Sequence, residues 1–123
     1  MILEAMTRQG WQVLRGLPTS YGSVACLLSG PGGAFAVEAR TQPGRGRVST
    51  VPTAWLRQAA SQAEAAERWL GAEVVPLLVL RHAELDHSGA ERDGVVVVAA
   101  SELARVLRST GRAHADRDHH VAA

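Results

Sequence analysis

The stretch Leu28-Ser29-Gly30-Pro31-Gly32-Gly33-Ala34-Phe35-Ala36-Val37-Glu38-Ala39-Arg40 decides how the chain is read. Its centre is a turn, because three glycines tolerate positive φ and the proline presets one of the turn dihedrals. The apolar run Val24–Leu28 precedes it and Ala34–Arg40 follows at once, so the segment predicts a β-hairpin. Side chains alternate along a strand, which places Phe35 and Val37 on one face and Ala36 and Glu38 on the other. A carboxylate on a core strand, two residues before an arginine, is the first candidate for chemistry.

Working outward, Ile2–Gln9 has the spacing of a short amphipathic helix, with Gly10 as its stop. Trp11–Leu17 alternates as a strand, and Pro18 and Gly22 bracket the turn after it. Downstream of the hairpin, Thr41–Arg47 carries two glycines and a proline and reads as a polar loop. Val48–Val51 is a candidate for one further short edge strand outside the main order. From Thr53 to Leu70 the period becomes helical: Leu56, Ala59, Ala60, Ala63, Ala66 and Leu70 form a stripe, Glu64 and Arg68 pair four apart, and Gly71 caps the end. Val74–Leu80 and Val95–Ala99 are continuous apolar runs of the kind found inside a sheet. Glu84–Gly94 between them reads as a surface connection. Ser101 caps a last helix, Glu102–Arg108, which buries Leu103, Val106 and Leu107. The polar residues 111–123 read as a disordered tail.

The resulting order is α-β-β-β-α-β-β-α, a mixed sheet flanked by helices in one α/β domain over residues 1–110. The step from Ala34–Arg40 through the long helix to Val74–Leu80 should be a right-handed crossover between parallel strands.

Composition excludes several classes. Thirteen basic residues against twelve acidic ones leave a net charge of +1, so any attraction to nucleic acid has to be local. All thirteen are arginine, so no chemistry can rest on lysine. The four aspartates, Asp86, Asp93, Asp116 and Asp118, leave the first 85 residues with glutamate as their one acidic side chain. Cys26 is the single cysteine and lies in an apolar run, which suits a buried thiol and a reducing cytoplasm. No apolar run approaches the roughly 20 residues that cross a bilayer, so no membrane partner is expected.

The hairpin resembles the central signature of the nuclease-related (NERD) family, in which a Gly-Pro-x-Gly turn joins two strands and the second ends in a carboxylate-x-Lys motif. Trp55, Gln58 early in a long helix, an apolar strand and a short last helix follow in that family's order, so the likeness runs over about residues 1–108. It implies a restriction-endonuclease-like fold. It also implies a nuclease site in which an aspartate before the turn and the motif glutamate hold Mg2+ or Mn2+ while the lysine helps position water. A hard cation on oxygen ligands is what phosphodiester hydrolysis requires.

On this pattern Glu38 is the motif glutamate, Arg40 stands at the lysine position, the aspartate position falls at or near Ala25, and Gln58 supports the site from the helix. Glu4 matches an acidic residue of the family's first helix and would be the second metal ligand beside Glu38. Arginine stays protonated at any ordinary pH because its pKa exceeds about 12, so Arg40 binds phosphate but is a poor general base. The expected role is therefore a catalytically degenerate nuclease-like domain without a cofactor. DNA or RNA would be bound weakly through Arg40, Arg45 and Arg47, whose guanidinium groups suit phosphate. The alternatives are an active metal-dependent nuclease using Glu38, Glu4 and an unconventional Arg40, and a structural module that forms a homodimer. Trp11, Trp55 and Trp69 read as core or interface residues. The groups His82, Asp86 and His87, and His114, Asp116, Asp118, His119 and His120, have no regular metal-ligand spacing.

Overall fold

The computed structural model describes residues 10–30 and 33–109. The predicted helix Ile2–Gln9, with Glu4, and the tail over 111–123 lie outside the described residues. A six-stranded mixed sheet is flanked by a helix on each face. In chain order come β1 (Gln12–Thr19), β2 (Gly22–Gly30), β3 (Gly33–Gly46), a 3-10 turn (Val48–Thr50), α1 (Thr53–Leu70), β4 (Val74–Leu85), β5 (Ala90–Arg92), β6 (Val95–Ala99) and a second 3-10 turn (Ala100–Glu102). The last turn runs into helix α2 over 103–109. Across the sheet the order is β1-β2-β3-β4-β6-β5.

β1, β2 and β3 form an antiparallel meander, and β3–β4 and β4–β6 are parallel. The two apolar runs are inside the sheet, as expected for strands covered on both faces. α1 carries the chain from β3 to β4 with its stripe Leu56, Ala59, Ala63 and Ala66 buried and Gly71 closing it in the left-handed region (φ 72°). Ala60 and Leu70, assigned to the same stripe, are exposed.

Alternation divides the core as the hairpin predicts. Phe35 and Val37 pack with Trp11, Cys26, Leu28, Leu77 and Val79 against Leu103, Val106 and Leu107 of α2. Ala36 packs on the other face with Ala63 and Ala66 of α1, and Leu78 and Leu80 lie on that face with Leu56 and Ala59. Gly30 has to be glycine for a steric reason, because a Cβ there would run into the Trp11 indole.

Several boundaries differ from the sequence reading. Thr41–Arg47 is no loop: β3 continues to Gly46 along β4, with a register shift between Thr41 and Gly44. A bulge accommodates the turn-forming residues without ending the ladder. β4 correspondingly extends to Leu85 rather than Leu80. Val48–Val51 begins as a 3-10 turn rather than an edge strand, because backbone bonds three apart (Thr50 N to Arg47 O, 3.0 Å) close it on itself. The Glu84–Gly94 connection contains β5, hairpinned onto β6 through Asp93-Gly94, both at positive φ (52° and 81°). That dipeptide suits the two-residue turns whose twist matches flanking strands. The described elements therefore run β-β-β-α-β-β-β-α, with one strand more than the expected order.

Candidate functional site

The β1–β2 hairpin turns over at one point. Leu17 and Val24 pack toward α1, whereas Val13, Cys26 and Leu28 pack on the opposite face. Arg15 pairs with Cys26 and Leu17 with Val24, but the intervening pair, Gly16 and Ala25, is missing from the ladder, and Gly16 is left-handed (φ 57°). The β2–β3 ladder stops at Leu27↔Ala36. Beyond that pair the strands part and the Ala25 N–H is free of the ladder. Extending the register by two residues sets Ala25 across from Glu38 at the opening of this fork.

Gln62 of α1 fills the fork. Its Oε1 accepts the Ala25 N–H at 2.6 Å, and its Nε2 donates to Glu38 Oε2. It is 6% exposed, the one polar side chain among the buried residues described. A buried amide is tolerated when both its ends are bonded, and here both are. The other carboxylate oxygen, Glu38 Oε1, lies 3.2 Å from Arg40 Nε, and the Glu38 side chain is 12% exposed. This is an ion pair by distance but not an aligned hydrogen bond, and Arg40 Nε is buried without an acceptor. The guanidinium carbon stands 5.7 Å from the centroid of Trp55, on the first turn of α1, at cation–π range.

Of the residues expected at a nuclease-like site, Glu38 and Arg40 are together and share the α1 face. Gln58 is exposed on α1; one turn further, Gln62 is the glutamine that reaches the carboxylate. Position 25 contributes a backbone N–H where the resemblance places an aspartate.

Arg45 and Arg47 lie farther along. Five residues of strand separate Arg45 from Arg40, roughly 16 Å at a rise of about 3.3 Å per residue. Arg45 and Glu84 face each other across the end of the β3–β4 ribbon at 3.4 Å, with side chains 92% and 79% exposed. A pair so open to water contributes about 0–1 kcal/mol. Arg47 is exposed at the start of the 3-10 turn. Arg45, Arg47, Thr50, Glu84 and Asp86 border one open groove, so the expected basic rim alternates with acids.

The groove wall is held from beneath. Asp86 Oδ1 accepts the Val48 N–H at 3.0 Å and the His87 N–H at 2.9 Å. Arg92 Nη1 donates to Val48 O at 3.1 Å and to Val51 O. The Val48 hydrogen bond holds the Asp86 carboxyl below the usual carboxylate range. His87 is exposed on the same connection, and among the described residues no three His, Cys, Asp or Glu side chains are grouped as they would be around a metal ion.

Trp11 is a core residue, its ring 5.7 Å from that of Phe35. Trp69 is 44% exposed at the end of α1, near Arg68, which lies over Tyr21 at 5.9 Å. No described helix is long and apolar enough to cross a membrane.

No known family model matches the chain, and no curated protein does. Among solved structures it is similar to that of Pyrococcus furiosus SfsA in complex with Ca2+, at 13% identity and a TM-score of 0.39 over 92% of this chain. The chain spans about half (49%) of the length of that protein.

Proposed function

We propose that this is a restriction-endonuclease-like domain of the nuclease-related kind that has lost hydrolysis and binds DNA or RNA without cutting it. The observation that carries the reading is the occupation of Glu38. One carboxylate oxygen is taken by Gln62 and the other faces Arg40, while position 25 offers a backbone N–H already given to Gln62. A divalent cation would have to displace a buried amide and a guanidinium to reach one carboxylate. Mg2+ demands near-octahedral oxygen ligation and surrenders water reluctantly, so that exchange is unfavourable. Arg40 cannot act as the base that lysine provides, but arginine suits phosphate better than lysine does.

Titrating Mg2+ and Mn2+ into the protein by calorimetry at neutral pH should give the same featureless heats for wild type and Glu38→Ala. Labelled DNA and RNA incubated with either metal should stay intact but bind at low salt, with affinity falling steeply as salt rises. A saturable metal site lost in Glu38→Ala, or metal-dependent cleavage, would return the domain to the active nucleases. Failure to bind any nucleic acid at low salt would remove the binding half of the reading.

A second reading, a homodimerising or docking module, draws on the exposed Tyr21, Trp69 and Leu70. Surface aromatics gathered at one end of a helix are frequent at interfaces. Sedimentation across a wide concentration range decides it: a monomer throughout eliminates self-association, and a dimer that dissociates in Trp69→Ser supports it.

A further inference from the structure

We infer that Arg40 is a preorganised phosphate fork and that Glu38 is its positioning residue, so that the carboxylate the nuclease pattern assigns to a metal orients a guanidinium instead. This rests on the reading that the domain binds nucleic acid, and it names the residue and the chemical group involved. Arg40 is fixed on two sides. Its Nε is buried 3.2 Å from Glu38 Oε1 in an ion pair, and its guanidinium carbon lies over the Trp55 ring, 5.7 Å from the centroid. Its side chain is nonetheless 40% exposed. With Nε buried, the exposed part includes the Nη end, and among the described residues neither Nη group has an acceptor.

A planar guanidinium restrained by a carboxylate beside Nε and an aromatic ring beside its carbon turns its remaining N–H groups outward, where they match two oxygens of a phosphate. The support runs back into the core: Trp55 packs against the cluster around Leu56, and Glu38 is held by Gln62, which is anchored on the β2 backbone. Little side-chain freedom remains to be lost on binding, which is the advantage of such preorganisation. Arg45, out on the ribbon and facing Glu84, adds only to the surrounding field.

The test is fluorescence anisotropy of labelled single-stranded and duplex DNA at a series of salt concentrations in EDTA. Arg40→Ala should bind about tenfold more weakly and lower the salt slope by about one, as loss of one phosphate contact does. Arg40→Lys should lose most of the same affinity although its charge is kept, because an ammonium neither forks nor stacks. Arg45→Ala should change affinity less than about twofold. The positioning role of Glu38 is read from a double-mutant cycle: in a Glu38→Gln background, the penalty of Arg40→Lys should largely disappear. An unchanged penalty would remove Glu38 from the role, and wild-type affinity in Arg40→Lys would remove the fork. Titration with inorganic pyrophosphate separates this from the broader reading. Quenching of tryptophan emission in wild type, lost in both Arg40→Ala and Trp55→Phe, would sustain the fork even if no oligonucleotide binds. If neither probe binds, both fall.

Discussion

Gln62→Leu is expected to cost about 2–4 kcal/mol of folding stability, an unusual penalty for a single polar side chain. The residue is 6% exposed and satisfies two groups at once, the Ala25 N–H and one oxygen of Glu38. Leucine fills a similar volume but bonds to neither. The Ala25 N–H sits where the ladder has been given up, so no strand partner replaces the amide. Losing a partner in a poorly solvated place costs the desolvation of the group left behind, about 1–3 kcal/mol each. Gln58→Leu is the control: that side chain is exposed, and its replacement should stay within about 0.5 kcal/mol. Urea unfolding of both variants measures the difference at constant m-value. Equal midpoints would show that the fork between β2 and β3 is closed by something other than Gln62.

Phe35→Ala should do more damage, about 3–5 kcal/mol, by leaving a cavity at the centre of the α2 side of the sheet. Phe35 is fully buried, packs against the Trp11 ring, and stands in the strand that joins the antiparallel and parallel halves of the sheet. The neighbouring Trp11 is itself hemmed in by Gly30 and cannot swing freely to fill the space. A fall in Tm of more than about 12 °C is expected for a domain of this size. A smaller loss would mean that the cluster collapses around the hole, as flexible sites do.

The two variants touch opposite faces of the same hairpin, and the sequence makes that division plain. Alternation through Phe35, Ala36, Val37 and Glu38 assigns each side chain its face, and the alanine-rich stripe of Thr53–Leu70 identifies the helix that covers one of them. The extension of β3 is hidden because Pro43, Gly44 and Gly46 carry loop chemistry, and a bulge satisfies the same preferences inside a ladder. β5 has a readable signal, the Asp93-Gly94 turn, that the surrounding charges obscure. The site is legible in part. Glu38 and Arg40 stand out two residues apart on one strand, but the partner of Glu38 depends on how far α1 slides along the sheet. Gln58 and Gln62 are one turn apart on that helix, and local sequence cannot set the slide. The contact of Arg40 with Trp55 joins residues whose separation in the chain carries no periodic signal.

Cys26 gives these local differences a chemical reporter. It is the single cysteine of the chain, 8% exposed, and immediately follows Ala25, whose N–H Gln62 accepts. Burial pushes its thiol pKa up, with Arg15 pulling the other way, so little thiolate is available near neutral pH while the strand is closed. A thiol-reactive dye therefore marks molecules in which β2 has opened, and the rate of labelling becomes a clock for its separation from the α2 face of the core, with no engineered probe.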